Sequence, residues 1–244
     1  MQPTTNSLIN ITRKAARTLQ RDFLELESLQ SSSRGTSEFC QRSYMRAKAT
    51  LHEESQKHTR YVYFADESEP NLDKADTVIL IYPIEGLDNL SKALPFFAIS
   101  IVYLRRINSI LVPSNAVMSF PALNEIYYAE KNGGVWLDRM TGNSSDRSIR
   151  LRVSACKDTQ NAFFAGNDPK KAAFGKNQLH YGSACYNLAL FAAGKLDIIQ
   201  ADLLNYTLVP LYNLIISEAN GFVISNKEQM LGANINLRDK LSTL

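Results

Sequence analysis

The sequence predicts a mixed fold, an α+β first half followed by an α/β second half, and three observations carry that reading. Apolar residues recur at helical spacing from Leu8 to Leu29, several apolar runs between Thr77 and Ala129 are joined by short turns, and from Ser154 onward short strands alternate with helical segments. The change of pattern falls near residue 150. It divides the 244 residues into an N-terminal half over 1-150, with a large antiparallel sheet, and a C-terminal half over 151-244. No repeat or low-complexity linker separates the halves, so one continuous interior is expected.

In order along the chain, Leu8, Ile11, Ala15, Leu19, Phe23 and Leu26 form one face of a first helix that Asn6 or Ser7 can cap. The stretch from Ser31 to Thr36 breaks that pattern, and a second helix is expected over Arg42 to His58, with Met45, Ala49 and His52 on one side. Tyr61 to Phe64 reads as a short strand. Thr77 to Ile81 reads as a buried one, ending in a turn at Pro83-Ile84-Glu85-Gly86. Leu94 to Leu104, Ser109 to Val112 and Glu125 to Ala129 are further strand candidates, the last leading into Lys131-Asn132-Gly133-Gly134. In the second half, Asn161 to Gly166 is a strand candidate, with a short helix near Ala172. A helix over Ser183 to Gly194, a strand over Leu196 to Gln200, a helix over Pro210 to Ala219 and a strand at Phe222 to Ile224 follow.

Composition limits the class. With 45% hydrophobic and 21% charged residues the chain is ordinary for a globular protein, and disordered and fibrous classes are excluded. The formal charge of +3 is mildly basic. Arg105-Arg106, the stretch Arg147 to Arg152 and Lys170-Lys171 can touch RNA or an acidic partner, but no aromatic residues interleave with them, and solvated faces are the favoured reading. Cys40, Cys156 and Cys185 lack metal-ligand spacing and point to a reducing compartment. His52, His58 and His180 show no ligand-like pairing. The longest apolar run, Leu94 to Leu104, is too short to span a bilayer, and the first residues do not read as a signal peptide. A cytoplasmic protein without membrane contact is expected.

Chemistry is best placed at the end of the Thr77 strand. Glu85 and the free N-H groups around Gly86 and Leu87 can hold a cation or a phosphate, although Gly86 also serves as a purely structural turn residue.

These pieces resemble the inositol monophosphatase family over essentially the whole chain. Ala65-Asp66-Glu67 stands where the family has Gly-Glu-Glu, and Tyr82-Pro83-Ile84-Glu85-Gly86-Leu87-Asp88-Asn89-Leu90 stands for Asp-Pro-Ile-Asp-Gly-Thr-x-Asn-Phe. Ala129 to Trp136, Leu151 to Ser154, Gly182-Ser183-Ala184, Ala192 to Asp197 and Glu218 to Gly221 match further family segments in order. The resemblance implies a layered αβαβα sandwich, a magnesium-dependent phosphomonoesterase and a homodimer. It also implies a tie to transcription or RNA-processing complexes, in which some bacterial relatives take part.

At the reaction centre the chain departs from the pattern. The family's metal-binding glutamate is kept as Glu67, its first aspartate becomes Tyr82, its second becomes Glu85, and its threonine becomes Leu87. The C-terminal Trp-Asp pair falls on Thr207-Leu208, an upstream substrate-binding glutamate on Ala201, and an N-terminal aspartate on or near Tyr44. Magnesium takes oxygen ligands at about 2.0 to 2.1 Å, and a two-ion site needs several carboxylates. Tyr82 is a neutral phenol with an ordinary pKa of about 10, and Leu87 and Leu208 carry no side-chain oxygen. Glu67, Glu85 and the Ile84 carbonyl are therefore expected to hold at most one weak Mg2+. Gly86, Leu87, Gly182, Ser183 and Ala184 are the expected contacts for a phosphate-containing small molecule, and Tyr44 and Tyr82 are expected in the vacated metal space. The implied function is binding or scaffolding by a catalytically impaired protein. The alternative is hydrolysis of an inositol, sugar or nucleotide phosphomonoester.

Overall fold

The computed structural model describes residues 1–30, 33–139, 148–166, 177–202, 205–225 and 229–241. The chain opens with helices α1 (Pro3–Leu29) and α2 (Ser33–Gln56), then β1 (Val62–Phe64), β2 (Thr77–Glu85) and the single turn α3 (Leu87–Ser91). Strands β3 (Ala98–Ile107), β4 (Ile110–Phe120), β5 (Glu125–Glu130), β6 (Gly134–Arg139) and β7 (Ile149–Leu151) follow. The second half runs β8 (Phe163–Ala165), β9 (Asn177–Leu179), α4 (Ala184–Ala192), β10 (Ile198–Asp202), α5 (Leu208–Glu218), β11 (Gly221–Ser225), β12 (Gln229–Asn234) and α6 (Arg238–Leu241).

Strands β1 to β7 form one sheet in chain order, with β1 parallel to β2 and every later pair antiparallel. The other sheet runs β11-β12-β10-β8-β9. Alternation along β2 decides the layering. Ile79 and Ile81 pack with Leu8, Leu19, Leu26 and Leu51 of α1 and α2, whereas Val78 and Leu80 pack with Leu188, Leu211 and Ile215 of α4 and α5. A strand covered on both faces reads as a continuous apolar run, as Thr77 to Ile81 does. Ile199 and Ala201 close the other side of the α4 and α5 layer, and Ile198 and Phe164 turn outward to Leu237 and Leu241. The result is the expected αβαβα sandwich.

Several local readings are corrected. Helix α2 starts at Ser33, ahead of the expected Arg42, and it buries Cys40, Ser43, Ala47 and Leu51 while Met45 is exposed. Small side chains on that stripe allow close approach to α1, and Arg46 closes the pair on buried Asp22 at 2.7 Å. Strand β2 does not turn after Ile81. It continues to Glu85 with a register shift between Tyr82 and Glu85, where Pro83 has no N-H to give the ladder. Leu94 to Phe97 lies outside β3, following Ala93 at φ 51°. Strand β4 runs on through Pro113, Ser114 and Asn115 to Phe120, its polar middle being accommodated at a shift beside Tyr103 and Leu104. Strands β6, β7, β9 and β12 have no counterpart in the reading of the sequence. Ala172 and Lys170-Lys171 lie outside the described residues, as does Arg147. The three cysteines are unpaired. Among the described residues no helix is long and apolar enough to cross a membrane.

Candidate functional site

Glu67 sits just past β1, where its backbone N-H donates to the Phe64 carbonyl at 3.0 Å and its carboxylate accepts the Phe64 N-H at 3.2 Å. Its other oxygen lies 3.2 Å from the Lys48 ammonium. Lys48 projects from α2 and also donates to both oxygens of Asp66, at 2.7 and 2.9 Å, with its charge 4.8 Å from the centre of the Phe64 ring. Partial burial works against the charged amine. The hydrogen bonds to Asp66 and Glu67 outweigh that and hold the Lys48 pKa above the ordinary lysine range.

Tyr44 lies one helical turn before Lys48, and burial, then the charge of Asp66, push its phenol well up. Tyr82 is raised too, first by burial and then by the charge of Glu85, so both phenols stay neutral.

Glu85 is 7% exposed and has its partners at the start of α4. One oxygen accepts the Ala184 N-H at 2.8 Å; the other accepts the Ser183 hydroxyl at 2.5 Å and the Cys185 N-H at 3.2 Å. The first turn of α4 has N-H groups without intrahelical partners, and a carboxylate satisfies them and complements the positive helix end. Ser183 caps the same helix by accepting the Tyr186 N-H at 3.1 Å. Burial pushes the Glu85 pKa up, and the Ser183, Ala184 and Cys185 hydrogen bonds oppose it.

The two glycines of the expected site have defined work. Gly86 adopts φ 80°, and a Cβ there would stand 2.7 Å from the Phe96 carbonyl oxygen. Gly182, at φ 67°, packs on Asn89, whose amide donates to the Phe96 and Tyr181 carbonyls at 2.7 and 2.8 Å. Gly86→Ala is expected to cost about 2 kcal/mol through strain and that contact. A lower denaturant midpoint at unchanged slope would register it.

The remaining candidates fall on different walls. Tyr44, Leu87 and Asp88 line a cavity of about 460 Å³ with Thr36, Ser37 and Gln41. Glu67 lines another, of about 560 Å³, with Glu69, Asn205 and Tyr206. Ser183 and Ala184 belong to neither, because they are turned onto Glu85, and the Ile84 side chain is buried against the α1 and α2 layer. Thr207 donates to Asn205 at 2.6 Å, Tyr206 donates to the Phe64 carbonyl at 2.6 Å, and Leu208 is buried at the start of α5. Among the described residues no group of three or more His, Cys, Asp or Glu side chains is arranged to hold a metal ion.

Sequence reasoning missed Lys48, Asn89, Asn205 and Tyr206. Lys48 carried one usable signal, its place four residues after Tyr44 on the same helix face.

No family model matches the sequence. The chain is 30% identical over 239 residues to an inositol-1-monophosphatase of Caulobacter vibrioides, covering 91% of this chain and 89% of that protein. It is 27% identical over 214 residues to the Nus factor SuhB of Escherichia coli, covering 81% and 75%. Among solved structures it is similar to the extragenic suppressor protein suhB of Bartonella henselae, with TM-score 0.79 and 23% identity over 99% of this chain and 98% of that one.

Proposed function

We propose, proceeding from the fact that this chain belongs to the inositol monophosphatase family, that it has lost metal-dependent hydrolysis and acts by binding, as a scaffold or regulator. The observation that carries this reading is the Lys48 ammonium between Asp66 and Glu67. A lysine supplies one positive charge and three donors at hydrogen-bond distance, whereas Mg2+ draws about six oxygens to about 2.0 to 2.1 Å. The donor set does not fit a magnesium pair. Asp66 and Glu67 face an ammonium, Glu85 is committed to the start of α4, and Tyr82, Leu87 and Leu208 supply no carboxylate. With Glu67 held by Lys48 and Glu85 by the start of α4, neither carboxylate is free to place and deprotonate water, and the fold keeps its surfaces and cavities but not its chemistry.

The similarity to a protein named as a Nus factor favours a macromolecular complex of the transcription type as the setting. A second copy of the chain, as in a homodimer, belongs to the same proposal. A phosphate-containing small molecule is the other ligand class, with the cavity beside Tyr44 and Leu87 as its place.

The competing reading is a magnesium-dependent phosphatase acting on an inositol, sugar or nucleotide phosphomonoester. It is favoured by Glu67 and Glu69 opening on one cavity and by the Caulobacter relative's name. Phosphate release from an inositol monophosphate in excess Mg2+ decides between them. The expected result is a rate no greater than that of Glu67→Gln, and metal-dependent turnover abolished by that change would reject the binding reading.

A further inference from the structure

Charge is distributed unevenly along α1. The first 21 residues contain Arg13, Lys14, Arg17 and Arg21 and no acidic residue; the first acid, Asp22, is buried and paired with Arg46. Arg13, Arg17 and Arg21 recur at every fourth position, which sets them about 6 Å apart along one side of the helix. Arg17 and Arg21 are exposed and Arg13 is half-buried, and among the described residues none of the three has a hydrogen-bond or ion-pair partner. Other arginines of the chain are in use: Arg106 holds the Ala75 and Ser109 carbonyls, and Arg139 holds Glu125.

The row borders a groove. Between the first half of α1 and the end of α2 lies a space of about 440 Å³ walled by Ser7, Asn10, Arg13, Arg17 and His58. Its acid, Glu54, is already claimed by Lys14 and Lys57 at 2.7 Å each. What remains is uncompensated positive charge beside hydroxyl, amide and imidazole side chains. Planar guanidinium forks pair with phosphate oxygens in two-pronged fashion. Serine, asparagine and arginine are also the side chains that hold a nucleic-acid backbone in register.

We propose that this face of α1, with Arg13, Arg17 and Arg21 and the groove beside them, binds the phosphodiester backbone of a nucleic acid. The inference does not depend on the fate of the reaction centre, since none of these residues belongs to it. Binding is sequence-independent and salt-sensitive, because it rests on phosphate neutralisation.

Fluorescence anisotropy of labelled oligouridylate with the whole chain tests it. Three phosphate contacts on a single strand predict an affinity loss of about twenty-fold between about 50 and about 200 mM salt. The variant R13E/R17E/R21E should lose at least about ten-fold in affinity at the lower salt while keeping the far-ultraviolet circular dichroism of the parent. R13K/R17K/R21K, which keeps the charge, should retain most of the binding, and K131E/K195E, on exposed lysines elsewhere, should leave it unchanged. Competition by oligothymidylate equal to that by RNA assigns backbone recognition without regard to sugar; competition by RNA alone assigns RNA, and both support the proposal. No binding at low salt, an unchanged R13E/R17E/R21E variant, or displacement by polyglutamate as effective as by oligonucleotide would overturn it.

Discussion

Replacing Glu85 by alanine is expected to lower stability by about 3 kcal/mol, the cost of stranding buried donors at a helix start. Two of those donors, the Ala184 and Cys185 N-H groups, have Glu85 as their partner, and the third is the Ser183 hydroxyl. For a chain of this length the loss corresponds to a fall in Tm of roughly 6 to 12 °C, measurable by calorimetry. Glu85→Asp is the sharper variant. It gives the aspartate that the family resemblance implies for this position, yet its side chain is one methylene shorter and is expected to leave α4 under-capped, at a cost of about 1 to 2 kcal/mol. A neutral or stabilising Glu85→Asp would contradict the assignment of Glu85 to the helix start.

The same residue predicts a pH dependence. Burial raises the Glu85 pKa in the folded chain, so the folded form binds that proton more tightly than the unfolded one. The stabilising contribution linked to that proton is complete below the ordinary glutamate value of about 4.3 and is lost as pH rises through the raised value. The stability gap between the parent and Glu85→Ala should therefore narrow as pH is taken from about 4 towards neutrality. A gap that widens over that range would reverse the sign of the argument.

Lys48→Met is expected to change metal affinity more than any other single substitution. A unit charge and a divalent ion about 4 Å apart repel by about 2 kcal/mol even in bulk water, and screening trims this only in part. Removing the ammonium leaves Asp66 and Glu67 without their cation. Mn2+ affinity by isothermal titration should rise about ten- to thirty-fold. Phosphate release should stay at background, because Tyr82, Leu87 and Leu208 still lack carboxylates. Recovery of turnover by Lys48→Met alone would mean that the lysine blocks an otherwise intact centre.

Much of the fold was legible because its signals are local. The α1 periodicity, the branched run of β2 and the small-residue start of α4 each express burial through spacing alone. Strand β12, Gln-Met-Leu-Gly-Ala-Asn, carries no such pattern; it is made by pairing on both sides, with β10 and β11. The middle of β4 was obscured by Pro113, Ser114 and Asn115, where Asn115 faces inward to Thr5 at 2.9 Å. At the candidate site, the order of motifs singled out Tyr82, Glu85, Leu87 and Leu208, but not the partners that Glu67 and Glu85 take. Lys48 reaches Asp66 and Glu67 from a different element, and Glu85 meets Ser183 and Ala184 across about a hundred residues of chain. Such contacts depend on how layers stack, which no local pattern encodes.

Anomalous diffraction from crystals soaked in Mn2+ and phosphate tests the proposed loss of the metal centre most directly. The account predicts the Lys48 ammonium in place between Asp66 and Glu67, Glu85 on the first turn of α4, and no manganese peak between them. Two manganese ions bridged by side chains at that position, with Lys48 swung away, would contradict it.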